Sequence, residues 1–118
     1  VLGWLYEGAD SRIPAAAQKL LGSEQLRTSP IVELELTYLY EVGRVSEPAA
    51  APLAGLRRSI GLEVADVSLA KLVAAAADLS WTRDPFDRLI AAHAIVTGAP
   101  LLTADRTILE NLPLATWD

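Results

Sequence analysis

Apolar and polar positions alternate along this chain in short blocks punctuated by Pro and Gly, and the period within each block predicts its structure. Two blocks have the strongest boundaries. Ser29-Pro30 is a helix N-cap followed by proline at the first helical position, where a missing N–H costs nothing. A helix is therefore predicted over 31–42, with Gly43 as its stop. Asp84-Pro85 repeats the signature and opens a helix over 85–97, ended by Gly98. The remaining pattern predicts helices over 11–21, 49–59 and 69–79, the last capped by Ser68. Brief strands are predicted at 26–28, 62–67, 100–103 and 114–117, with a loop at 80–83 and a last helical turn starting at Asp105. Short strands separated by helices imply an α/β fold: a mostly parallel central sheet covered on both faces, a three-layer α/β/α sandwich.

Within the helix over 31–42, helical spacing aligns Ile31, Leu34, Tyr38, Leu39 and Val42 into an apolar stripe that contains Glu35. A carboxylate in that stripe points inward as a ligand for a cation or as a buried acid paired with arginine, or it swings out from the edge of the stripe. Glu33 and Glu41 fall on the solvent side. Asp84 reads as an N-cap, whereas Asp87 stands in the first turn without being required for capping. Asp105 follows the apolar run Leu101-Leu102-Thr103 at the carboxyl end of a strand, the edge where open α/β sheets place ligands. It also reads as an N-cap for the turn after it.

Composition narrows the choices. A chain of 118 residues has room for one core, so a single domain over 1–118 is expected, and 52% hydrophobic residues exclude disorder. No apolar run approaches the roughly 20 residues of a membrane span. The absence of cysteine excludes disulfides and thiolate zinc sites and fits a reducing cytoplasm. A net charge of −5 argues against a broad surface for nucleic acid, but carboxylates gathered around a bound cation would also produce it. Converging acids raise one another's pKa unless a cation neutralises them, and carboxylate oxygens suit Mg²⁺ or Mn²⁺. Such an ion can activate water and stabilise charge on a scissile phosphate.

Other polar residues fit lesser roles. His93 shares an apolar face with Phe86, Leu89 and Ile90 and reads as a buried, hydrogen-bonded histidine. Arg83, Arg88 and Arg106 flank the acids and are candidates for phosphate contacts or for salt bridges to those acids. Trp4 and Trp117 read as packing residues, while Trp81, in the loop before Asp84, is placed to reach a substrate or a partner peptide.

Three segments taken together carry a family resemblance: Ser29-Pro30-Ile31-Val32-Glu33-Leu34-Glu35-Leu36, then Asp84-Pro85-Phe86-Asp87-Arg88-Leu89-Ile90-Ala91-Ala92, then Leu101-Leu102-Thr103-Ala104-Asp105. In order and spacing they resemble PIN-domain proteins of the VapC toxin type. The resemblance implies a PIN-like parallel sheet between helices and a ribonuclease that uses Mg²⁺ or Mn²⁺. It implies a cognate VapB-type antitoxin that holds the enzyme inactive, and a homodimer. By the same resemblance Glu35, Asp87 and Asp105 fall on metal-binding catalytic acids and Thr103 on a polar position beside them. Members begin with an apolar strand ending in aspartate, just before the segment that Val1-Leu2-Gly3-Trp4-Leu5 resembles. That strand and a fourth acid are accordingly expected upstream of Val1, in keeping with the absence of methionine. The alternative reading is a catalytically silent PIN-fold module that binds RNA or protein.

Overall fold

The structure, a computed structural model, describes residues 4–7, 26–48, 50–60 and 63–117. Among the described residues five parallel strands form one sheet: β1 (Trp4–Glu7), β2 (Leu26–Thr28), β3 (Glu63–Val64), β4 (Leu101–Thr103) and β5 (Ala115–Thr116), in spatial order β3-β2-β1-β4-β5. The polarity pattern predicts no strand at Trp4–Glu7, yet β1 occupies the centre. It pairs Trp4 with Leu26 on one side and Leu5, Tyr6 and Glu7 with Leu101, Leu102 and Thr103 on the other. This is the place for which the family resemblance implied an upstream strand. Strand β4 is buried at every residue, and because successive side chains point to opposite faces, the sheet is covered on both sides there.

Among the described residues five helices lie between the strands: α1 (Pro30–Glu41), α2 (Ala50–Ile60), α3 (Leu69–Ala76), α4 (Pro85–Thr97) and α5 (Arg106–Asn111). The predicted helix over 11–21 lies outside the described residues. The caps form as their residue types require. Ser29 Oγ accepts from the Ile31 N–H at 3.2 Å and Asp84 Oδ1 from the Phe86 N–H at 2.8 Å. Gly98 closes α4 in the left-handed conformation at φ 68°.

Helix α4 carries Ile90, Ala91, Ala92, His93 and Ala94 in one fully buried run. Its alanines let neighbours approach on two sides. Val32 and Leu36 of α1 pack with Ile90, Ala91 and Ala94 against Leu101 and Ile108, while Leu72 and Ala76 of α3 pack on Ala92. Burying each Leu or Ile contributes about 1.5–3 kcal/mol.

Three expectations are corrected. The core face of α1 is Val32 and Leu36 with Ile31 and Leu39 packed beside them, only part of the predicted stripe: Leu34 is 57% exposed, Tyr38 49%, and Val42 is exposed as well. Glu35, one turn from Ile31 and from Leu39, is half-buried at the edge of that face. Helix α3 ends at Ala76 instead of 79, because Asp78 N–H and Leu79 N–H bond to the carbonyls of Ala75 and Ala76, a tightened turn that terminates the helix. The strand predicted over 62–67 pairs only at Glu63–Val64, with one further bond from Ala65 N–H to Thr28 O, since β3 has a neighbour on one side only.

A Cβ added at Gly98 or at Gly55 in α2 meets nothing within 4 Å among the described residues, and backbone conformation distinguishes the two sites. Gly98→Ala is expected to cost about 1 kcal/mol and Gly55→Ala to contribute about 0.5–1 kcal/mol, opposite shifts readable by urea unfolding.

Candidate active site

The chain leaves β1 toward β2 on one side, and β4 returns to pair with β1 on the other. The crevice outside the carboxyl ends of β1 and β4 is therefore the switch point where sheets of this kind bind ligands. Glu7 ends β1 opposite Thr103, and Asp105 lies two residues beyond Thr103. Helix α4 brings its first turn, with Asp84 and Asp87, to this edge, and α1 brings Glu35.

Asp87 is the electrostatic focus. It is only 8% exposed, and its pKa is raised from 3.8 to about 7. Burial is the largest cause, followed by the negative charges of Asp105, Asp84 and Glu35, while a hydrogen bond with the Thr82 side chain pulls the other way. Glu35 and Asp105, the other two acids expected from the sequence, therefore lie within electrostatic reach of Asp87, as does Asp84. Both capping roles are also realised. Asp84 accepts the Phe86 and Asp87 N–H groups, and Asp105 Oδ1 accepts the Ile108 N–H at 2.9 Å. A carboxylate has two oxygens, so a cap bond leaves acceptor capacity for a ligand. Thr103, 1% exposed, accepts the Asp105 N–H on its Oγ1 at 3.0 Å and fixes the start of that turn.

His93 holds the two acid-bearing helices together. It is completely buried, with Nδ1 2.8 Å from Ser29 Oγ, the N-cap oxygen of α1. Its Nε2 is buried with no partner among the described residues. A proton on Nδ1, donated to Ser29, leaves a bare lone pair at Nε2, whereas the other tautomer would strand an N–H donor, which is rarer in proteins. Burial lowers its pKa below the ordinary 6.5.

The arginines take separate places. Arg88 is half-buried and donates from Nε to Thr82 O, and exposed Arg83 donates from Nη1 to Ser80 O, so both brace the loop before Asp84. Arg106 is exposed in the first turn of α5. Trp81 is half-buried and packs against the main core. Two contributors escaped the sequence reading: Ser29, whose cap oxygen also meets His93, and Thr82, which serves Asp87, the Asp84 N–H and Arg88. Only the Ser-Pro cap signature pointed toward the first.

The donor set fits a hard divalent ion. Carboxylate oxygens suit Mg²⁺ and Mn²⁺, and the repulsion on Asp87 is what a cation relieves. Among the described residues no three acidic or histidine side chains converge closely enough to surround an ion by themselves.

The family model of the PIN domain matches residues 1–112, and the chain belongs to that family. Its members are typically nucleases. Comparison with curated proteins finds no match. No helix among the described residues is long and apolar enough to cross a membrane.

A carboxyl that titrates near pH 7 folded and near 3.8 unfolded takes up a proton on folding, so metal-free protein loses stability as pH rises from about 4 to about 7. Asp87→Asn is expected to unfold above wild type in EDTA at pH 8. The gain should exceed about 1 kcal/mol, since each pH unit between the two equilibria is worth about 1.4 kcal/mol. His93 runs the other way: its stabilisation is present above 6.5 and lost as pH falls below it, because the unfolded chain protonates first. In an Asp87→Asn background, stability should fall from pH 6.5 to 5, and His93→Gln should flatten that limb.

Proposed function

We propose that this PIN domain is a divalent-metal-dependent endoribonuclease, the toxin of a VapC-type toxin–antitoxin pair. The observation that carries the reading is Asp87: a buried carboxylate pressed by three other acids at the switch point of a nuclease-family fold. Glu35, Asp87 and Asp105 would hold Mg²⁺ or Mn²⁺. When bound, the ion supplies an activated water and a counter-charge for the scissile phosphate. Thr103 holds Asp105 in place, exposed Arg106 meets phosphate beside the acids, and Arg83 and Arg88 keep the loop at 80–83 in position with N–H groups left for substrate. Single-stranded or looped RNA suits this edge, because its backbone and bases are accessible.

Exposed surface supports the partners in this reading. Leu34 and Tyr38 on α1 are exposed beside Glu35, and the Tyr38 ring lies 5.7 Å from that of Phe86, next to Asp87. This apolar step against an acidic cluster suits an antitoxin peptide that carries both apolar and basic side chains. Leu69 and Val73, exposed one turn apart on α3, suit the homodimer. The proposed setting is the cytoplasm.

One observation favours a silent RNA- or protein-binding module instead: the described acids do not close around an ion unaided. The two readings separate on incubation of single-stranded and stem-loop RNAs with Mn²⁺ or EDTA. Cleavage is expected only with metal, and Asp87→Asn and Asp105→Asn should each reduce it about a hundred-fold or more. Equal cleavage by wild type and Asp87→Asn removes the assignment, and metal-independent RNA binding without turnover establishes the silent module.

A further inference from the structure

Glu33 stands two residues before Glu35, about 200° around α1, and so faces away from the acid cluster. On that side a cavity of about 280 Å³ opens between the first turn of α1, helix α2 and the β2–β3 edge. Leu53, Ala54 and Val64 give it apolar walls, while Thr28, Glu33 and Arg57 supply its polar atoms. Thr28 ends β2 and Val64 ends β3, so the cavity lies along the same carboxyl edge of the sheet as the acids.

Glu33 and Arg57 face one cavity with opposite charges. Among the described residues neither side chain has a hydrogen-bond or ion-pair partner. A carboxylate and a guanidinium left apart beside apolar walls select a flat ligand that offers N–H donors to one and a carbonyl to the other. Phosphate alone is repelled by Glu33, and a wholly apolar ligand would strip water from both charges without replacing it. The volume is at the small end of ligand pockets, with room for one ring system.

We propose that this cavity is a nucleobase subsite selective for guanine. The N1–H and N2 amino group of guanine present two adjacent donors to the Glu33 carboxylate, O6 accepts from Arg57, and the ring lies against Leu53 and Val64. The subsite rests on the RNA-cleaving reading: a strand laid along the carboxyl edge, with its scissile phosphate at Asp87, passes a flanking nucleotide across it.

The test is a titration of the metal-free full chain with the 5′-monophosphates of guanosine, inosine, adenosine, cytidine and uridine, followed by backbone amide NMR. The guanosine nucleotide is expected to shift the amides of Thr28, Glu33 and Arg57 and to bind about ten-fold tighter than the others. Inosine, which lacks only the N2 amine, should fall with the weaker group. Glu33→Gln and Arg57→Ala change exposed side chains outside the core, so they should leave the fold intact while erasing the preference. Equal binding of all five, no binding, or a preference unchanged in Glu33→Gln overturns the subsite. Cleavage and metal play no part in this measurement. RNA cleavage without guanine binding therefore removes the subsite alone, and guanine binding without cleavage removes the nuclease reading alone.

Discussion

The bond between His93 and Ser29 is the constraint on which the acid-bearing edge depends. His93 sits in the buried middle of α4 and reaches the cap of α1, so one imidazole sets where the N-terminal turn of α1 stands relative to α4. Ser29 Oγ serves two partners at once, the Ile31 N–H and His93 Nδ1, and both bonds require α1 to begin at this position. The cost is a buried Nε2 without a partner among the described residues. A neutral ring with a bare lone pair keeps that cost small, whereas a charged one would not.

Behind that clamp the core is built for close approach. Ala91, Ala92 and Ala94 let α1 and α3 pack onto opposite flanks of α4, which brings Glu35 and Asp87 into electrostatic reach across the α1–α4 seam. The same packing removes water from Asp87. Fold stability and site chemistry thus oppose one another at a single residue. Hydrophobic burial holds α4 in place, and the carboxylate it carries would be more stable anywhere else. A bound cation resolves the conflict, and that conflict is the physical basis for the proposed metal.

What was legible in the sequence was local. Ser29, Asp84 and Gly98 announce helix ends because a cap is a bond within a few residues, and those boundaries agree with the structure to within a residue. The inward face of α1 was not legible, because its exposed Leu34 and Tyr38 are as apolar as its buried Val32 and Leu36; only the position of α4 chooses between them. Strand β1 was hidden for the same reason, its identity residing in pairing with β2 and β4 far along the chain. At the site, Asp84 and Asp87 share one motif, and burial alone separates the exposed cap from the buried, perturbed carboxyl. Glu35 was selected by a stripe of which only Ile31 and Leu39 pack on the core, and its charge does act on Asp87. His93 was rightly read as buried, but its tie to Ser29 spans 64 positions and has no local signature.

The most direct measurement of the central claim is a carboxyl-carbon NMR titration of Asp87, in EDTA and with saturating Mg²⁺. The account predicts a midpoint of about 7 without metal, drawn down toward or below the ordinary 3.8 when the ion binds. A midpoint near 3.8 in EDTA, or one near 7 that Mg²⁺ leaves unmoved, would contradict it.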